Sequence, residues 1–278
     1  MGVGHACVEW NGLVQVMTML HVKRPGHCIR FRDNVSPNYV NIASLGSISG
    51  ATKFSVSYWV RHDITPYGAV ISPLNRSHFS YTSNNASVNG FYTQTHTATR
   101  GGILVGFNSG VYAQGTSTIN EDPQVWNNFI FVYDGTQATN ATRILVYENG
   151  VQVTLGFTGA VPASLANPGL TNALLGYLYF YGQQTIGCFD ELAIFNGTAI
   201  TAAQVAQLSA RVTTDFFSGY RLNGTEAGLT NLFHFDEGRG VAPTDSKGSA
   251  VGSFVTTGTS IPVYDLGVVP RLALPGEA

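Results

Sequence analysis

The sequence predicts an all-β protein, an antiparallel two-sheet sandwich with one short helix near residues 201–210. Three observations carry that prediction. Apolar residues recur with period two in several separate runs. An Asn-Gly pair stands between two alternating runs, the strongest short hairpin signal. Helical periodicity is confined to one segment, "TAAQVAQLSARV".

Taken in order, "CIRFRDN" alternates, with Ile29 and Phe31 inward and Arg30 and Arg32 outward. "KFSVSYWV" places Phe54, Val56, Tyr58 and Val60 on one face and Ser55, Ser57 and Trp59 on the other, as in a half-buried strand. The polar, turn-rich stretch between Pro66 and Pro123 reads as short strands and long loops at one rim. "WNNFIFVYDG" is apolar on both faces from Phe129 to Tyr133, as for a fully buried strand. "RILVYENGVQVTL" is the hairpin, turning at Asn149-Gly150, where both residues tolerate positive φ. The two prolines of "FTGAVPASLANPG" mark a loop, and "ALLGYLYFYG" resumes strand character. In the helical segment, Thr201 and Gln204 have capping-box spacing, and Val205, Leu208 and Val212 form an apolar stripe. A helix this short needs a surface to cover.

Composition narrows the function. With 14 Lys+Arg against 16 Asp+Glu there is no basic stripe for phosphates, so nucleic acid is not expected as a partner. Charged residues make up 11% of the chain, where roughly 25% is usual. Such a surface fits either a Thr/Asn/Gly-rich β-protein or a subunit covered by neighbours in an assembly. Cys7, Cys28 and Cys188 are an odd number without zinc spacing and read as single buried thiols. No run is long enough to span a membrane, and Gln15 and Thr18 interrupt the only apolar stretch near the start.

Five stretches, in order, resemble the laminin-G-like jelly rolls of the concanavalin A-like lectin/glucanase superfamily. They are "CIRFRDNVSPNYVNIAS", "FSVSYWVRHD", "WNNFIFVYDG", "ILVYENGVQV" and "IGCFDELAIFNGTAITAAQVAQL", spanning roughly residues 26–212. The resemblance implies that the 187–195 strand runs through one of two packed sheets and that the helix closes an open end. It also implies a role for "FDE". Asp190 or Glu191 accepts loop hydrogen bonds, or Asp190 joins Asp33 or Asn34 as calcium ligands, hard oxygen donors of the kind that ion takes.

A second likeness is displaced. "LTNLFHFDEGRGVAPTDSKGSAVGSF", residues 229–254, resembles a run that normally opens such a domain. The expected organisation is therefore an arm over 1–25, a jelly roll over 26–255 with a permuted first strand near 229–236, and a tail over 256–278. Phe233 and Phe235 share one face of that strand, which should pair beside the strand ending at Phe195; the alternatives are donation of the strand to a neighbouring subunit or a truncated second domain. This arrangement resembles structural proteins of aquatic bacteriophages.

Catalysis is not expected. The Glu-x-Asp-x-x-Glu motif of the superfamily's glucanases is missing, as are nucleophile-elbow, zinc-protease and phosphate-loop motifs. The seven histidines have no ligand spacing. The leading expectation is a non-enzymatic structural or decoration protein of a virion, made in the host cytoplasm and contacting other protein subunits. The alternative is a carbohydrate-binding or adhesion module, extracellular if an adhesin. Its surface-glycan contacts would come from Phe79, Tyr81, Phe91 and Tyr92, among the amides of "SHFSYTSNNASVNGFYTQTH".

Overall fold

The computed structural model describes residues 27–31, 38–62, 76–82, 90–96, 102–117, 126–166, 172–209, 222–237, 242–256 and 262–266. In chain order the strands begin with β1 (His27–Phe31), β2 (Asn38–Ala43), β3 (Lys53–His62), β4 (Arg76–Tyr81), β5 (Phe91–His96) and β6 (Gly102–Asn108). They continue as β7 (Val111–Thr116), β8 (Asn127–Asp134), β9 (Ile144–Glu148), β10 (Val151–Gln152), β11 (Gly156–Thr158) and β12 (Ala173–Leu175). The remainder are β13 (Tyr177–Leu178), β14 (Gln183–Gln184), β15 (Gly187–Asn196), β16 (Asn231–Phe233), β17 (Val251–Thr256) and β18 (Val263–Leu266). A four-residue helix, α1 (Asn140–Arg143), precedes β9, and α2 (Ala202–Ser209) follows β15.

Two eight-stranded antiparallel sheets form the sandwich. The first runs β10-β9-β8-β3-β15-β1-β18, with β16 also on β15; the second runs β11-β7-β6-β5-β4-β12-β2-β17. Their facing sides interdigitate as one aromatic-rich core. Phe54 of β3 lies 6.3 Å from Phe79 and 5.1 Å from Phe91, ring centre to ring centre, so the two sheets are in direct contact. Phe54, Val56, Tyr58, Val146 and Ile194 are buried in this core, and Ile130 and Val132 are buried on the opposite side of the first sheet. Burying each aromatic contributes roughly 1.5–3 kcal/mol.

The stretch between Pro66 and Pro123 is not a rim. Its described parts are β4 to β7, four adjacent strands of the second sheet. Period two is present there, but Thr93 points inward while Tyr92 and Leu104 point outward, which blurs it. The face of β3 carrying Ser55 and Ser57 is also buried. Ser55 Oγ donates to the Thr198 carbonyl at 2.9 Å and accepts the Ile200 N–H at 3.2 Å, so the connection into α2 satisfies that hydroxyl.

The hairpin turns at Asn149 and Gly150, with φ of 51° and 81°. The α2 capping box forms: Thr201 N–H donates to Gln204 Oε1 at 3.0 Å, and Gln204 N–H donates to Thr201 Oγ at 3.3 Å. The helix does not plug an open end. Val205 and Leu208 join Ile130, Val132, Ala193, Phe195, Leu229 and Leu232 in a second apolar cluster on the outer side of the first sheet. Val212 lies outside the described residues.

The last three strands each cover a strand edge. β16 pairs with β15, β17 with β2, and β18 with β1. The 229–236 run is thus part of the sandwich, with Phe233 and Phe235 stacked at 6.2 Å in the core. Residues 263–266, expected in a tail, form a sheet strand. The 1–25 arm lies outside the described residues.

Candidate functional site

The outer face of the second sheet is lined with tyrosine. Strand alternation sends Val40, Phe79, Phe91 and Val105 into the core and leaves Tyr39, Ser80, Tyr92 and Gly106 on the other side. Tyr92 stands opposite Gly106, and Gly106 opposite Tyr112. A Cβ at Gly106 would run into the Tyr92 ring, so that ring lies flat across the glycine.

Over this face lies the 177–184 excursion: β13, a single 3-10 turn and β14. Gly176 (φ 87°) starts it and Gly182 (φ 60°) reverses it, conformations that glycine adopts without steric cost. Leu178 packs on Tyr92 and Leu104. Ser80 Oγ donates to the Tyr177 carbonyl at 2.8 Å, and Asn38 N–H donates to Gln184 Oε1 at 3.4 Å. These bonds fasten the excursion to β4 and β2.

Tyrosine rings form its upper surface. Tyr177 stacks on Tyr39 at 5.1 Å with an 11° interplanar angle, and Tyr179 meets Tyr177 edge-on at 5.5 Å. The hydroxyls of Tyr39 and Tyr179 are hydrogen-bonded at 2.9 Å, and Tyr181 bonds Tyr92. Tyr179 and Tyr181 are each 44% exposed, unusual for rings set in so ordered a cluster. Burial, then the bond to Tyr179, pushes the Tyr39 phenol up; burial acts likewise at Tyr92 and Tyr177. All three therefore keep their protons at neutral pH and can both donate and accept.

The aromatics expected to contact glycan are placed differently. Phe79, Tyr81 and Phe91 point into the core, and Tyr92 is covered by Leu178, so none of the four presents a ring to solvent. Alternation on β4 and β5, which the sequence shows, directs three of them inward. The exposed pair lies instead in "GYLYFYG", a Gly-bounded run with tyrosine at every second position.

Asp190 and Glu191 occupy a β-bulge in β15, where β1 pairing ends at Phe189 and β16 pairing begins at Leu192. Glu191 has φ 50°; its N–H donates to Asp190 Oδ1 at 2.8 Å, and its carboxylate meets His234 Nδ1 at 3.0 Å. The Glu191–His234 contact ties β15 to the residue that follows β16. Asp33 and Asn34, the other calcium candidates, lie outside the described residues, and among those described no three His, Cys, Asp or Glu converge.

Two histidines are satisfied in the core. His62 and His78 touch through their Nε2 atoms at 3.0 Å, and His78 Nδ1 bonds Tyr58 Oη at 3.1 Å. Tyr58 Oη in turn bonds Thr93 Oγ at 2.8 Å. The chain is wholly buried between the sheets, closed to a ligand.

Two packed antiparallel sheets of this order define a lectin-type jelly roll. The Concanavalin A-like lectin/glucanases superfamily description of the laminin-G family matches residues 34–206, more than half of the sequence, and the chain belongs to that family. No curated protein sequence matches it. Among solved structures it is similar to the native heptameric SAP-like pentraxin from Limulus polyphemus, at 13% identity over 84% of this chain and 94% of that one, with a TM-score of 0.54. It is also similar to Ruminococcus gnavus IT-sialidase CBM40 (9% identity, 66% of this chain, 96% of that one, TM-score 0.46). A third likeness is to a mutant of NanB sialidase from Streptococcus pneumoniae (20% identity, 75% of this chain, 30% of that one, TM-score 0.48). At its identity the pentraxin likeness shows the fold alone.

Proposed function

We propose that the protein is a non-enzymatic carbohydrate-binding module whose site is the tyrosine-lined outer face of the second sheet. One observation carries this reading: Tyr179 and Tyr181 stand 44% exposed on a hydrogen-bonded excursion fastened over that face. Aromatic faces bury the C–H side of a sugar ring, while phenol and amide groups bond its hydroxyls, and fixed rings lose little freedom on binding. The Tyr39 and Tyr179 hydroxyls supply such groups beside the rings. Membership of a superfamily of lectins and glucanases favours a saccharide ligand, and the sequence lacks the glucanase carboxylate motif.

Retention of the isolated protein on a glycan array, followed by titration calorimetry of the best binder, tests the proposal. Tyr179→Ala and Tyr181→Ala should each weaken binding about two- to tenfold, the worth of one aromatic contact. Both should leave the unfolding temperature nearly unchanged. Absence of retention on every glycan, or a Tyr179→Ala/Tyr181→Ala double variant that binds as the native protein does, would sink it. The reading as a virion decoration protein rests on the low charged fraction and the displaced 229–254 run. It requires the chain to copurify with a particle in fixed stoichiometry.

A further inference from the structure

The spacing of Cys28 and Cys188 predicts single thiols, yet the two meet on the outer side of the first sheet. The β1–β15 register sets Ile29 opposite Phe189 and Arg30 opposite Cys188. Cys28 therefore shares the face of Cys188 and lies diagonal to it, two residues along β1 from Arg30, the direct partner of Cys188. Both side chains are buried and in no disulfide, and the two thiols are hydrogen-bonded to each other.

The surroundings make the two sulfurs unequal. Arg61 of β3, the register partner of Cys188 on its other side, donates from Nη2 to Cys188 Sγ at 3.2 Å. Its guanidinium is held at 5.3 Å over the Trp126 ring. Cys188 thus accepts from a cation and stands between its register partners Arg30 and Arg61, the positively charged setting in which a cysteine sulfur acts as nucleophile. The hydrogen bond with Cys188, burial and the nearby Asp190 all push the Cys28 thiol far up, so Cys28 stays protonated and donates.

We propose that Cys28 and Cys188 are a built dithiol that closes to a cross-strand disulfide, with Cys188 as the attacking sulfur and Cys28 as the resolving one. The oxidant is a low-molecular-weight disulfide. The Cys188 thiolate attacks one of its sulfurs, forming a mixed disulfide and releasing one small thiolate. Cys28 then attacks Cys188 Sγ through its own thiolate, its proton passing to the departing second small thiol. Two protein thiols are oxidised, one small disulfide is reduced to two thiols, and β1 becomes bonded to β15. Because both sulfurs are buried, exchange requires β1 to lift from the sheet, a local opening available to short strands.

The test holds the native protein with oxidised glutathione at pH 8 for a day and refolds a second sample in the same buffer. Each is then alkylated in denaturant and mapped by mass spectrometry. The expected product has lost two hydrogens, with the Cys28 and Cys188 peptides joined. The bond should form equally in Cys7→Ser and not in Cys188→Ser. Closing so long a loop should raise the unfolding temperature by roughly 5–10 °C, reversibly with reductant. Full alkylation of both cysteines in both samples, or pairing of either with Cys7, would overturn the proposal.

Discussion

His78 makes two bonds and has no contact with water, an arrangement that sets a pH limit on the fold. A β-bulge between Ser77 and Phe79 sends its ring inward beside Phe79. Burial holds its imidazole well below the usual range, and His62 and Arg76 oppose its charge as well. In the unfolded chain the same ring titrates near pH 6.5, at about its unperturbed value. Below that pH the unfolded state takes up a proton that the folded state refuses. The stability is therefore complete above roughly pH 6.5 and falls as the pH drops toward the folded value, by up to about 1.4 kcal/mol per unit. Urea midpoints should be level from pH 8 to 7 and decline from 6.5 to 5. His78→Gln, which bonds without titrating, should flatten that decline. Equal slopes in the two proteins would show that His78 is not the group responsible.

Among elements, the second sheet shows how one missing side chain supports a site. Tyr92 can lie flat only because its cross-strand partner is Gly106. Gly106→Ala should tip that ring up into Leu178 and lift the excursion carrying Tyr179 and Tyr181. Overpacking of this kind costs about 1–3 kcal/mol, readable as a lower urea midpoint, and glycan affinity should fall with it. Unaltered affinity would separate the tyrosine platform from binding. Much of this architecture was legible beforehand: the β3 and β8 patterns, the Asn149-Gly150 turn and the Thr201 cap each follow from local chemistry. The excursion was not, because "ALLGYLYFYG" has strand periodicity throughout and only tertiary packing decides where Gly176 breaks it. The same holds for α2, whose apolar stripe was clear while the sheet face it covers was not.

For the whole molecule, the described C-terminal strands decide whether the sandwich is complete. Leu229 and Leu232 pack beneath α2, Phe233 and Phe235 fill the core, and the Asp245 carboxylate accepts from Leu232, Lys247, Gly248 and Ala250 N–H groups and from Asn231 Nδ2. Removing residues 229–278 should give a chain that is insoluble or melts without cooperativity, checked by calorimetry and size-exclusion chromatography. A soluble remainder with a sharp transition would mean that β16 to β18 are accessories to a finished domain. The displaced run was readable as a strand because two phenylalanines at spacing two need a covering surface. That β17 and β18 follow it onto other edges was not readable, since neither has a strong alternating pattern.

The covering of β15, β2 and β1 by the three latest strands bears on how the protein is made. A ribosome releases β1 first and β18 last, so most of both sheets emerges before the segments that seal them. Until then the nascent chain presents bare backbone donors and acceptors along three strands, the template on which neighbouring nascent chains pair. Contacts between the first and last parts of the chain also make closure slow. Its vulnerable interval thus lasts until β16 to β18 have emerged, and its yield in a cell should depend more on holding the growing chains apart than on the stability of the finished sandwich.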